Sequence, residues 1–321
     1  MAMGIFEQSE LCRAFCSQKV RGRDVTVYTI PCMDGMGTMS GYEVFPGIEI
    51  FRCHFHAHSC NERRAASDLL QLNFCVSGRF ECHFTKQECS VLGPGDFSAS
   101  LFDGKNAVAS TTKFPLGYYE GLSIYVDCAA ATKWTEEHLG VLSLDFGKIR
   151  NHLLPLDWKF ICRAGPECGH IFMELYENAS RAGSPYILIK TVELFTLLQE
   201  LPLTEKRPCY FPKEQIELVR HLREHIISGS SGYPGVEQLA LDYGISVTQL
   251  QKVFRKVYGM PVYAYLREYR LEQATLALKK TDESITSVAL AAGFTNPGKF
   301  SEAFKKRYAM TPTEYRKGKI E

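Results

Sequence analysis

The sequence predicts an α+β protein: an N-terminal β-barrel with a helical extension, then a C-terminal all-α domain with two helix-turn-helix units. Three observations predict it. Residues 25–126 fall into short runs of β-branched and aromatic residues broken by Gly and Pro. Beyond Ala130 the apolar spacing becomes helical. After a proline-rich stretch, two segments repeat one helix–glycine–helix plan.

The 321 residues suit two domains, by the prior of ~150 residues for one. An apolar share of 45% and a charged share of 23% are those of a globular chain. The first residues lack the basic and apolar runs of a secretory signal. No stretch approaches the ~20 apolar residues of a membrane span. The expectation is a cytoplasmic protein without a membrane partner. Twelve cysteines are scattered without a CxxC pair, so they read as free thiols of a reducing compartment.

In the first 129 residues, Val25–Ile30, Gly47–His58, Leu69–Val76, Arg79–Phe84 and Tyr118–Val126 read as strands. Ser77-Gly78 reads as a tight hairpin and Pro94-Gly95-Asp96 as a turn. Residues 130–201 form the extension, with helices from Pro166 and Pro185, each with proline in its first turn. The apolar run from Pro185 to Leu198 is too apolar for a surface helix, so it packs on the barrel or on a second copy of the chain. Residues 202–212 hold three prolines and form the linker.

Residues 213–321 are helical. Lys213–Ile227 is amphipathic, Ser228–Gly235 is a loop, and Val236–Asp242 is a short helix. Ser246 caps a helix that Gly259 stops, and Pro261 opens a long one through Lys279. Ser284 begins another, ended at Gly293, and Asn296–Tyr308 follows. This part holds 17 Lys and Arg against 12 Asp and Glu, whereas residues 1–212 hold 20 against 24. The basic end is the one suited to nucleic acid.

The repeated plan occupies Val236–Gly259 and Ile285–Ala309. Each copy has a small residue in its first helix (Ala240, Ala289), a glycine (Gly244, Gly293), then a capped helix with basic residues late. Glycine permits the sharp turn, and small residues let the helices cross closely. The second helix of each copy can enter the major groove, with late cations on phosphates. Arg255, Lys256, Lys305, Lys306 and Arg307 are the expected phosphate contacts.

Residues 213–321 resemble the DNA-binding domain of the AraC/XylS family of bacterial regulators. The resemblance rests on Leu239-Ala240, Gly244-Ile245-Ser246, Phe254-Arg255-Lys256, Gly259, Ala289, Gly293-Phe294, Phe300, Phe304-Lys305-Lys306, Thr311-Pro312 and Tyr315-Arg316. It implies two recognition helices joined by a rigid one. It places base reading on Thr248, Gln251 and Lys252, then on Pro297, Gly298, Lys299 and Glu302, with Asn296 beside them. Pro297 and Gly298 offer no reading side chain, so the first helix is expected to read more strictly.

The N-terminal half resembles the cupin-like sensor of the same family, through Phe74-Cys75-Val76-Ser77-Gly78 and Leu92-Gly93-Pro94-Gly95-Asp96. His54, His56, His58 and Glu62 are spaced like a metal motif. Register argues against one. Counting back from Gly78 puts Ala65, Ser67 and Gln71 at the ligand positions, and no histidine follows Asp96 within the second motif. No metal or other cofactor is expected. The expected effector pocket is a polar-dotted apolar face carrying Arg52, His54 and His56 after Ile48 and Ile50, with Gln71 and Asn73 nearby.

These features together imply a DNA-binding regulator and not an enzyme. Its expected partners are double-stranded DNA, a small-molecule effector in the barrel, a second copy of the chain, and RNA polymerase if it activates. Control by a partner protein, or by thiol or metal chemistry, is the alternative.

Overall fold

In the computed structural model the described residues are 4–9, 12, 16–22, 24–60, 67–83, 88–102, 112–142, 144–154, 159–181, 183–201, 211–228 and 236–317. Most of the expected linker (202–210), most of the loop before Val236 (229–235), Phe84, Glu62 and Ala65 lie outside them. The chain divides into two compact units, Met1–Ile216 and Glu217–Glu321.

The first unit holds an antiparallel eight-stranded sheet. Its strands are β1 (Gln18–Arg21), β2 (Thr26–Pro31), β3 (Met36–Phe45), β4 (Ile48–His56), β5 (Ser67–Gly78), β8 (Asp96–Phe102), β10 (Tyr118–Val126) and β11 (Lys159–Arg163). They run in the order β1-β2-β3-β4-β10-β5-β8-β11. A four-stranded sheet runs β12-β7-β6-β9, from β6 (Phe80–His83), β7 (Glu88–Leu92), β9 (Thr112–Lys113) and β12 (Phe211–Pro212). The expected closed barrel is not formed among the described strands, because β1 and β11 stay at opposite edges of the large ladder.

The reason lies partly at Gly78. The expected hairpin there is replaced by a crossing: β5 pairs with β10 and β8, whereas β6 pairs with β7 and β9. Gly78 has φ +77°, a left-handed conformation that favours glycine. A Cβ at this position would press on the Tyr118 carbonyl. Glycine therefore lets the chain leave one sheet for the other.

Both faces of the large sheet are covered, and alternation along each strand sorts the side chains. Ile48, Ile50, Leu72, Phe74, Leu122 and Ile124 face helices α2 (Cys128–Leu139), α3 (Phe146–Leu153), α4 (Pro166–Glu177) and α5 (Pro185–Glu200). Phe74 stacks on Phe172 of α4 with centroids 4.8 Å apart. Asp127 and Asp145 cap α2 and α3, and prolines open α4 and α5. The opposite face carries Phe51, Cys53, Phe55, Tyr119 and Tyr125, packed with Leu92 and Phe114. Helix α1 (Ile5–Gln8) inserts Phe6 against Phe51 and Tyr125, with its ring centroid 4.8 Å from each, and those two rings lie 5.3 Å apart.

Beyond β12, the helices are α6 (Lys213–Ser228), α7 (Val236–Asp242), α8 (Val247–Tyr258), α9 (Val262–Lys280), α10 (Ile285–Ala291), α11 (Pro297–Tyr308) and α12 (Pro312–Lys317). Ser246 accepts from Gln249 N, Ser284 from Ser287 N, Asn296 from Gly298 N and Lys299 N, and Thr311 from Glu314 N, so side chains cap these four starts. Gly259 and Ala309 end α8 and α11 at φ +84° and +59°. Alanine is strained there, by about 1–2 kcal/mol in general. We expect Ala309→Gly to raise stability by up to about 1 kcal/mol, the extra backbone freedom of glycine offsetting part of the relief. The midpoint of the helical signal in urea checks this; an unchanged or lowered midpoint contradicts it.

Candidate nucleic-acid interface

The pairs α7–α8 and α10–α11 have the same construction. In the first turn, Gly244 N donates to Leu241 O and Ile245 N to Ala240 O, both at 3.0 Å. In the second, Gly293 N donates to Leu290 O and Phe294 N to Ala289 O, both at 2.9 Å. Gly244 and Gly293 have φ +64° and +82°. The bonds and the left-handed glycine recur 49 positions apart.

The packing that follows recurs as well. Phe254 meets Tyr258 at 4.6 Å and Tyr265 at 5.5 Å with an interplanar angle of 77°. Phe304 meets Tyr308 at 4.6 Å and Tyr315 at 5.4 Å with the same angle of 77°. Each triad fastens a second helix to the helix after it. Sequence reasoning named Tyr315 only within the resemblance and did not join these tyrosines into triads; the repeated spacing Phe-x3-Tyr-x6-Tyr was the available signal.

Helix α8 buries Leu250, Val253, Phe254, Val257 and Tyr258. Thr248, Lys252 and Arg255 are exposed, and steps of four and three put them on one helical face. Gln251 is half-buried, and its Oε1 accepts from Val262 N at 3.4 Å. That nitrogen is an otherwise unsatisfied donor at the start of α9. Lys256 is also half-buried. The structure thus brings Thr248, Lys252 and Arg255 together and draws Gln251 toward the next helix.

In α11, Asn296 Oδ1 accepts from the nitrogens of Gly298 (2.8 Å) and Lys299 (3.1 Å). Lys299 Nζ lies 3.2 Å from Glu302 Oε2, and both side chains are exposed. Lys305 and Lys306 are exposed. Arg307 is engaged: its Nε donates to Glu268 of α9 at 2.9 Å, and its guanidinium lies 5.3 Å from the Tyr308 ring centre. Helix α9 has 19 residues, about 28 Å at 1.5 Å per residue.

The candidate pocket residues of the first unit divide between the two faces of the large sheet. Arg52 and His54 lie on the helix-covered face. The Arg52 guanidinium sits 4.5 Å from the Tyr176 ring centre, and His54 Nδ1 lies 3.5 Å from Glu120 Oε1. Burial and the neighbouring Arg52 charge push the His54 pKa down. His56 is exposed, and His58 is held by Asp34, with Nδ1 2.6 Å from Oδ2. Gln71 and Asn73 face the other way. Gln71 Nε2 donates to Tyr125 OH and to Asn73 Oδ1, each at 3.1 Å, and Ser123 Oγ donates to Asn73 Oδ1 at 2.7 Å. Ser98 and Ser100, opposite Asn73 and Gln71 on β8, are buried beside them. Among the described residues no His, Cys, Asp and Glu group is arranged to hold a metal ion, and no helix is long and apolar enough to cross a membrane.

A family model described as a helix-turn-helix domain matches residues 239–318. The C-terminal region is an AraC-type helix-turn-helix domain. The AraC-type domain is similar to part of the HTH-type transcriptional regulator MtrA of Neisseria gonorrhoeae, 32% identical over 97 residues, which are 30% of this chain and 32% of that protein. It is also similar to the Right origin-binding protein of Escherichia coli, 37% identical over 82 residues, 26% of this chain and 28% of that one. The chain thus spans about a third of the length of the curated relatives it matches. A solved transcriptional regulator with an AraC-type DNA-binding domain, from Chromobacterium violaceum, is 27% identical, with 34% of this chain and 95% of that chain covered and a TM-score of 0.30.

Proposed function

We propose that the chain is a sequence-specific DNA-binding transcription regulator of the AraC type that acts in the cytoplasm. Both helix pairs serve as helix-turn-helix units, with α8 and α11 as recognition helices. The observation that carries this reading is the duplication: turn bonds, left-handed glycine and aromatic triad all recur. Relatives named as a transcriptional regulator and an origin-binding protein support it. Thr248 and Lys252 read base edges, with Gln251 fixing their helix against α9. Asn296, Lys299 and Glu302 form the weaker second site, since Lys299 and Glu302 offset each other's charge. Arg255, Lys305 and Lys306 take phosphates, assisted by Lys256, while Arg307 braces α11 against α9 through Glu268.

Residues 1–129 act in this reading as a cupin-like sensor, 130–201 as a dimerising extension, 202–212 as the linker and 213–321 as the DNA-binding domain. A small effector binds the face bearing Gln71, Asn73, Ser98, Ser100 and Ser123, where polar groups converge within an apolar surround. It acts by favouring one arrangement of the regulator over another. The regulator works as a homodimer and contacts RNA polymerase where it activates. No catalytic role is proposed.

Selection of binding sites by the full-length protein tests the reading. We expect two short boxes about one helical turn, roughly 10 bp, apart. Lys252→Ala relaxes preference in one box, at a cost of about 1–3 kcal/mol. Arg255→Ala weakens binding to every duplex and lowers the salt slope by about one. A motif with a single box overturns the two-unit reading. Unchanged selection by Lys252→Ala removes that residue from base recognition.

A further inference from the structure

Cys32 follows β2, and Cys60 lies beyond β4, 28 residues away in sequence. An isolated antiparallel bridge sets the two opposite each other, with their Sγ atoms 3.4 Å apart. Met33 N donates to Ser59 O at 3.0 Å, so the bond flanks the cysteine pair instead of joining it. That is the non-hydrogen-bonded register, in which opposed Cα atoms lie roughly 4.5 Å apart and side chains come closest. This spacing falls inside the span of about 4.4–6.8 Å that a disulfide bridges. Rotation of the two side chains can therefore bring the sulfurs together without moving the strands.

We propose that Cys32 and Cys60 form an oxidisable dithiol, a modification site whose substrate is a hydroperoxide and whose product is an intramolecular disulfide. Cys32 is half-buried and Cys60 buried, so the peroxide meets Cys32 first. The Cys32 thiolate attacks a peroxide oxygen, the O–O bond breaks, and the sulfur is oxidised to a sulfenic acid as hydroxide leaves and takes a proton. Cys60 Sγ then attacks the sulfenic sulfur, forming the S–S bond, breaking the S–O bond and releasing water. Two thiols and one hydrogen peroxide give one disulfide and two waters. Burial holds the Cys32 thiol above its ordinary range, Cys60 draws it down, and the Asp34 charge adds to the rise. The first step is consequently slow, whereas the second is favoured by the contact already present.

The bond has a defined mechanical consequence. Cys60 N donates to Thr112 O and Phe114 N to His58 O, at 3.0 and 2.7 Å, so residues 58–60 run beside β9 of the small sheet. Oxidation fastens the end of β2, in the large sheet, to that strip. The inference is independent of the DNA-binding reading, because the chemistry is confined to the first unit.

The test is hydrogen peroxide titration of the reduced full-length protein, followed by alkylation, digestion and mass mapping. We expect a peptide linking Cys32 to Cys60, lighter by two hydrogens and restored by dithiothreitol. In Cys60→Ser, Cys32 has no resolving thiol; it stops at a sulfenic acid trapped by dimedone or proceeds to the sulfinic acid. Should that variant fold poorly, mapping of the unsubstituted protein still decides. Cys12 is the competing thiol, since its contact with Cys16 pulls its pKa down. Oxidation confined to Cys12 and Cys16, or any other linkage with Cys32 and Cys60 still alkylated, overturns the proposal.

Discussion

Phe254→Ala is expected to cost about 3–5 kcal/mol of the C-terminal unit's stability and to abolish sequence-specific DNA binding. Phe254 is fully buried, in ring contact with Tyr258 and Tyr265. Tyr265 also accepts a hydrogen bond from Arg223 of α6. Removing the phenyl ring opens a cavity where α6, α8 and α9 converge, and the side chains proposed to read bases ride on α8. A domain of this size has about 5–15 kcal/mol in total, so the loss is a large share. Phe304→Ala is expected to cost a similar amount, because its triad has nearly the same distances and angles. Urea denaturation followed by helical circular dichroism measures the cost, and site selection measures the function. A loss under about 1 kcal/mol, well below the usual cost of such a truncation, contradicts the packing argument. A full loss of stability with the same selected motif contradicts the placement of reading residues on α8.

The C-terminal helices from α6 to α11, though not α12, were readable from sequence almost to the residue, for a local reason. Ser246, Ser284 and Asn296 cap helices by chemistry that acts within three positions, and Gly259 permits the left-handed stop. The N-terminal unit was readable only in part as strands, since β1, β3, β8 and β11 were not among those read, and not as sheets. Ser77-Gly78 looks the same whether a chain folds back on its own strand or crosses to another sheet, and the choice depends on β10 and β9, some 40 or 30 residues away. Alternation correctly grouped Arg52 with His54, and Gln71 with Asn73, within each strand. It could not place the two sets on opposite faces, because helices cover one side and the small sheet the other, so both sides are apolar. Exposure of Thr248 and Lys252 followed from helical periodicity. The turning of Gln251 toward Val262 did not, since it depends on where the next helix begins. Cys32 and Cys60 meet only through strand pairing, which no local spacing encodes.

Glu49→Gln is expected to stabilise the N-terminal unit strongly above neutral pH and hardly at all in mild acid. Glu49 is buried on β4, and burial raises its pKa from 4.5 to about 7. The Phe6 N–H donates to its Oε2 at 2.8 Å and pulls the other way, while Glu43 and Glu7 add to the rise. The unfolded chain releases this proton near 4.5, whereas the folded protein keeps it to about 7. Between those values the folded state binds more protons, so stability falls as pH rises, and the loss is complete above the folded value. Such a shift corresponds to roughly 3 kcal/mol at about 1.4 kcal/mol per unit. Glutamine keeps an oxygen to accept from Phe6 N and carries no charge to desolvate, so the variant removes the slope. Both tryptophans, Trp134 and Trp158, belong to this unit, so tryptophan fluorescence in urea follows its unfolding separately. The difference between variant and parent is expected to be small at pH 4–5, to grow through pH 6–7 and to level off by pH 8. A constant difference across that range, or a variant less stable than the parent at pH 8, contradicts the buried, protonated Glu49.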